Sequence, residues 1–189
     1  MALLLLIAVF FFEHKHSNAP KAMRKTVWAF ITREHEEGLQ ILVFSPNRSM
    51  KSSIDVPSGH VDDGEQEVEA LYRIIEDETG LVHLRFLGKV DSAVEYRGSI
   101  RKSEERTSYQ VESLELPKDQ WTYTVNLDEK DATMQRFYHW LPMKMAYQGL
   151  PRCKKQSLRH LFKGDYPLNP TRNRLHKMIS THFPQQSPL

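Results

Sequence analysis

Gly59-His60-Val61-Asp62-Asp63-Gly64-Glu65-Gln66-Glu67-Val68-Glu69-Ala70-Leu71-Tyr72-Arg73-Ile74-Ile75-Glu76-Asp77-Glu78-Thr79-Gly80-Leu81 is the stretch that decides how this chain folds. It carries eight acids (Asp62, Asp63, Glu65, Glu67, Glu69, Glu76, Asp77 and Glu78) and one base, Arg73, in a chain with 24 acidic and 26 basic residues. Acid gathered this way in a mildly basic chain suits a hard cation, because Mg²⁺ and Mn²⁺ prefer carboxylate oxygens. The spacing predicts a helix. Asp63 with Gln66 reads as an N-cap and its capping-box partner. Gly80 sits where a helix C-cap glycine belongs. Between them Val68, Leu71, Tyr72 and Ile75 recur at helical spacing as one apolar face. Asp77 and Glu78 lie one turn beyond Ile74. Ahead of the helix, Ile54-Asp55-Val56-Pro57-Ser58-Gly59 reads as a short strand entering a tight glycine turn.

The stretch resembles the Nudix box of the Nudix hydrolase family: Gly, five residues, Glu, seven residues, then Arg-Glu-apolar-any-Glu-Glu-any-Gly-apolar. Gly59, Glu65, Arg73, Ile75, Glu78, Gly80 and Leu81 fall on matching positions, and Asp77 matches the first of the paired glutamates conservatively. Two positions depart. Ile74 stands where the family has the Glu of its Arg-Glu pair, and Ser58 replaces a frequent first glycine. Glu76 does not replace the missing acid, since two residues turn a helix by about 200°.

The resemblance implies an αβα sandwich with a mixed β-sheet. It also implies a hydrolase that cleaves a pyrophosphate bond in a nucleoside diphosphate linked to another group, by water attack on phosphorus assisted by Mg²⁺ or Mn²⁺. On that reading Asp77 and Glu78 are metal ligands, and Glu78 also helps activate the water. Arg73 pairs with Glu65 and locks the loop onto the helix. Gly59 lets backbone approach metal or phosphate, and His60 either touches substrate phosphate or faces solvent. A further acid often comes from a later loop, which here is Asn126–Asp131; Glu129 or Asp131 completes the site, or the loop is simply solvated and polar. The missing Glu at Ile74 leaves an alternative, a catalytically impaired Nudix-fold module that binds a nucleotide or regulates.

At 189 residues the chain suits one domain with a full core. Hydrophobic residues make up 40% and charged residues 26%, ordinary for a globular protein, and a net charge of +2 is too small to argue for nucleic acid or a membrane as partner. The expected partner is a small nucleotide-like diphosphate, with a homodimer left open. Cys153 is the only cysteine, which excludes an intrachain disulfide and a cysteine metal cluster and fits a reducing, cytoplasmic setting. Met1–Phe12 is almost wholly apolar but too short to span a bilayer, and no Lys or Arg precedes it as in a signal peptide. The expectation is an extension over 1–22 outside the fold, a Nudix-like domain over 23–183 and a loose tail over 184–189.

Outside the motif, strands are expected at Val27–Thr32, Leu39–Phe44, Arg85–Val90 (interrupted by Gly88), Ser108–Leu116, Trp121–Val125 and Gln135–Leu141, and a helix at Arg172–His182. Strands and helices in this order, without regular βαβ alternation, give an α/β protein of the α+β type with a mixed sheet. Gly98–Arg106 reads as an exposed loop. The basic run Arg152–His160 reads as a solvated face, with phosphate or RNA contact as the sharper alternative. No second feature supports Cys153 as a catalytic thiol. Phe44, Tyr96, Trp121 and Tyr123 are candidates for stacking on a base, a role that competes with the core.

Overall fold

The computed structural model describes residues 23–48, 53–97, 102–115, 118–126 and 132–162. The extension over 1–22, the acids Glu129 and Asp131, the helix expected at Arg172–His182 and the tail lie outside the described residues.

Seven strands form one mixed sheet among the described residues: β1 (Arg24–Arg33), β2 (Gln40–Ser45), β3 (Ser58–His60), β4 (Leu84–Arg97), β5 (Lys102–Ser113), β6 (Gln120–Asn126) and β7 (Thr133–Pro142). Their order is β4-β5-β1-β2-β7-β6, with β3 beside β1. Only β1 and β5 run parallel. β1 is apolar on both sides, and its period of two sorts the core. Val27, Ala29 and Ile31 join one cluster with Leu42, Leu71, Ile75, Tyr138 and Trp140. Phe30 joins the other with Ile41, Val43, Leu141, Met145, Ala146 and Leu158. Helix α1 (Glu67–Thr79) covers the first face, and α2 (Met143–Gly149) with α3 (Arg152–Leu158) covers the second. The result is the expected αβα arrangement. No helix among the described residues is long and apolar enough to cross a membrane.

The parting of two strands shapes the site. β1 and β2 pair only at Thr32–Ile41 and Arg33–Gln40. Beyond that point residues 54–60 run between them. Asp55 bridges to Phe44 of β2, Ala29 N–H donates to the Pro57 carbonyl (2.9 Å), and β3 pairs with Thr26, Val27 and Trp28. The strand expected at Ile54–Val56 is thus a single bridge, and the regular strand starts after Pro57, which has no N–H to give to a ladder.

Several expected boundaries shift. α1 starts at Glu67 rather than after Asp63: the capping box is Gln66 with Glu69, whose Oε2 accepts from Gln66 N–H at 3.1 Å. Residues 62–65 form a turn instead, closed by Glu65 N–H on the Asp62 carbonyl (3.0 Å). The buried face of α1 is Ala70, Leu71, Ile74, Ile75, Glu78 and Thr79. Val68 is 39% exposed, because it sits in the first turn at the edge of that face. Gly80 does end the helix, at φ 76°. Residues 102–106, expected in a loop, are strand, with Glu104 and Arg106 buried. Arg106 is held there by Asp91 (3.0 Å) and Ser157 (2.5 Å), so its charge is paired rather than solvated.

Candidate functional site

A cleft of about 650 Å³ opens where β1 and β2 part. It is lined from the α1 side by Arg73, Ile74, Asp77 and Glu78, from the β3 segment by Asp55, Ser58, Gly59 and His60, and from the far side by Arg136, Cys153 and Lys154. The motif residues and residues far from them in sequence therefore meet.

Arg73 holds the loop to the helix. Its Nε donates to Glu65 Oε1 (2.8 Å) and its Nη2 to Glu65 Oε2 (2.7 Å) and to the His60 carbonyl (3.0 Å). This two-pronged pair lowers the Glu65 pKa to about 2 and raises that of Arg73. Gly59 serves packing: a Cβ there would stand 2.9 Å from Ile74 Cγ1, so the strand lies directly on the helix. Ile74 is 4% exposed and part of the core on the α1 side. His60 sits on the rim, with Nδ1 3.2 Å from Thr26 Oγ1 and 3.2 Å from Glu104 Oε1.

Asp77 and Glu78 diverge. Asp77 is exposed. The Glu78 side chain is 11% exposed, and its Oε2 lies 2.5 Å from Arg136 Nη1 and accepts from Ser58 N–H at 3.2 Å. Burial pushes the Glu78 carboxyl above the ordinary carboxylate range, and Arg136, Ser58 and Lys154 pull it back only in part. Burial works against the Arg136 charge, and Glu78 holds it on. The Arg136 guanidinium lies 4.2 Å over the Phe44 ring. Lys154 is 6% exposed on its side chain, donates to Asp55 Oδ1 (2.5 Å) and lies 4.9 Å over the Trp28 ring.

Arg136 and Lys154 were not singled out as individual site residues. Arg136 had a weak signal: it shares the parity of Tyr138 and Trp140, so a charge stands in a row otherwise facing the core on the α1 side. Lys154 lies inside the run read as a solvated face, and the fold buries it instead. Among the stacking candidates, Trp121 stacks on Tyr138 (5.2 Å), Phe44 lies beneath Arg136, Tyr123 packs against the core, and Tyr96 is exposed.

The NUDIX domain family model matches residues 22–163. The chain belongs to the Nudix family. No curated protein matches it. The Nudix fold recurs in solved structures: a C. elegans Ap4A hydrolase in a binary complex (16% identity, 74% of this chain and 95% of that one, TM-score 0.54); the NUDIX domain of Shewanella oneidensis NrtR complexed with ADP ribose (16%, 81% and 95%, 0.53); and a NUDIX hydrolase from Nitrosomonas europaea (19%, 77% and 93%, 0.51). At such identities the likeness shows fold alone.

The family implies a divalent metal. Among the described residues of this Nudix domain, no three His, Cys, Asp or Glu side chains converge to hold one. Ile74 removes one acid, and Arg136 occupies the oxygen of Glu78 that faces it. The described carboxylates therefore do not by themselves fit a metal ion.

Proposed function

We propose that this chain takes a small nucleotide-like diphosphate, a nucleoside diphosphate linked to another group, into the cleft between α1 and α3. The geometry supports binding of this ligand best, which is the impaired-module alternative. The observation that carries it is the Glu78–Arg136 ion pair: the acid most central to the motif is neutralised by the chain itself. Gly59 and His60 line the ligand's entry, and Arg73 with Glu65 keeps the loop in place. Arg136 and Lys154 line the cleft with positive charge that favours the phosphates.

Hydrolysis of the same ligand is the second reading, supported by Asp77 and Glu78 lining one cleft. It assigns Asp77 and Glu78 as ligands of Mg²⁺ or Mn²⁺, gives Glu78 the water as well, and needs a further ligand, the place of Glu129. ADP-ribose and Ap4A are sensible first probes, being what two proteins of this fold bind or cleave by name.

The test is to incubate each probe with the full chain and Mg²⁺ or Mn²⁺, measure product by chromatography, and measure thermal stabilisation in parallel. A rise in melting temperature without product is the expected result. Metal-dependent turnover that collapses in Glu78→Gln would replace it with the hydrolase. If hydrolysis is limited only by the missing acid, Ile74→Glu raises turnover; under the binding reading it buries a charge, destabilises by roughly 3 kcal/mol or more and yields no product.

A further inference from the structure

We infer that Arg136 takes the place of a divalent cation at Glu78, so that the cleft accepts its diphosphate without metal. This rests on the binding reading above. Glu78 lies in the last turn of α1, where aligned backbone carbonyls already add negative potential and that turn holds no basic residue to offset it. The two neighbouring carbonyls are closed off by the sheet: Tyr138 Oη donates to the Glu78 carbonyl (2.8 Å) and Trp121 Nε1 to that of Thr79 (3.3 Å). A carboxylate buried at such a point requires a positive partner. A cluster of acids would draw a metal ion, but one turn back stands Ile74, packed into the core, and Asp77, exposed at the cleft wall, forms no group of three acids with Glu78 among the described residues.

The partner is Arg136. Its guanidinium reaches Glu78 Oε2 at 2.5 Å, the same oxygen takes the Ser58 N–H, and the Phe44 ring supports the guanidinium plane from behind. A divalent ion at Glu78 would meet that guanidinium at close range, with the Lys154 ammonium bordering the same cleft, and like charges in a partly dry site repel strongly. A diphosphate meets the opposite situation. Arg136 is already oriented by Glu78 and Phe44, and Lys154, whose ammonium donates to Asp55 Oδ1, the Val56 carbonyl and Ser58 Oγ, adds fixed positive charge to the same wall rather than free donors. The charge that metal ions lend to phosphate oxygens elsewhere is here built into β7 and α3.

The experiment uses the full chain and two titrations. ADP-ribose is titrated calorimetrically in EDTA and in Mg²⁺, and Mn²⁺ alone is titrated while free Mn²⁺ is read by electron paramagnetic resonance. The expected results are dissociation constants equal within about threefold in the two buffers, a loss of about tenfold or more in Arg136→Gln, and no Mn²⁺ taken up at up to about 1 mM. Arg136→Lys, which keeps the charge but not the fork, guards against a misfolded Gln variant and is expected to weaken binding less. ADP-ribose binding that appears only with Mg²⁺ overturns the inference and leaves the binding reading standing. Mn²⁺ uptake by the wild type that disappears in Glu78→Gln also overturns it. If ADP-ribose binds in neither buffer, the binding reading falls for this probe, and the Mn²⁺ titration alone upholds or overturns the substitution of Arg136 for metal.

Discussion

Arg73 grips Glu65 with two nitrogens at 2.7 and 2.8 Å, and this pair ties the loop of residues 60–65 to α1. The pair was legible through the resemblance to the Nudix box, on whose positions both residues fall. It has a pH signature. The Glu65 pKa falls from 4.5 to about 2 on folding, chiefly through the Arg73 hydrogen bonds. A depressed carboxyl stabilises fully above its unfolded pKa, and that stability is lost as pH falls from 4.5 towards 2. Glu65→Gln is expected to cost about 1 kcal/mol at pH 6, a bidentate charged pair discounted for the exposure of Arg73. By about pH 3 the gap to wild type should have clearly narrowed. Urea unfolding at both pH values checks this, and an equal loss at both would mean that Glu65 acts by packing alone. Glu78, further along the helix, was legible through the same resemblance as an acid of the site; its partner on β7 was not.

At the scale of elements, α1 lies against β3 at a contact where the Ile74 side chain packs straight onto the Gly59 backbone. A Cβ on Gly59 would meet Ile74 Cγ1 at 2.9 Å and Cδ1 at 3.0 Å. Gly59→Ala is therefore expected to destabilise by about 1–3 kcal/mol through overpacking. Ile74→Ala alone is expected to cost about 2–5 kcal/mol by opening a cavity. The two together should cost less than their sum, because the new methyl enters the space that Ile74 leaves. A double-mutant cycle by chemical denaturation measures the coupling, and strict additivity would sink this account of the glycine. The start of α1 was misread by three residues because two acid-capped turns follow one another, each with its own Asp or Gln and Glu spacing. Local sequence does not choose between them; the docking of Ala70, Leu71 and Ile74 on the sheet does.

The whole molecule turns on β1, the strand that feeds both cores. Ala29 and Ile31 pack under α1 and Phe30 under α2 and α3, so the two faces cannot melt apart. Phe30→Ala is expected to destabilise by about 3–5 kcal/mol. Tryptophan fluorescence and far-ultraviolet circular dichroism should still report one coincident transition. Two separated transitions would mean that the layers are independent. The same strand explains the error at 102–106. That segment is polar and charged, and nothing local marks it as strand; it becomes one because β5 runs parallel to β1 from Arg24–Glu104 to Thr32–Glu112.

Residues close in sequence carried their own information. The helical spacing before Gly80 and the apolar runs of β1 and β2 are visible in a single chain, and the positions of Arg73 and Glu65 follow from the motif they share. The cleft's charge balance was decided by tertiary structure alone. Lys154 and Asp55 meet across 99 positions, and Arg136 finds Glu78 because β7 lies beside β2 and its row of Arg136, Tyr138 and Trp140 faces α1. No periodicity links such pairs: the free energy of burying a carboxylate selects a cation wherever the folded sheet happens to deliver one.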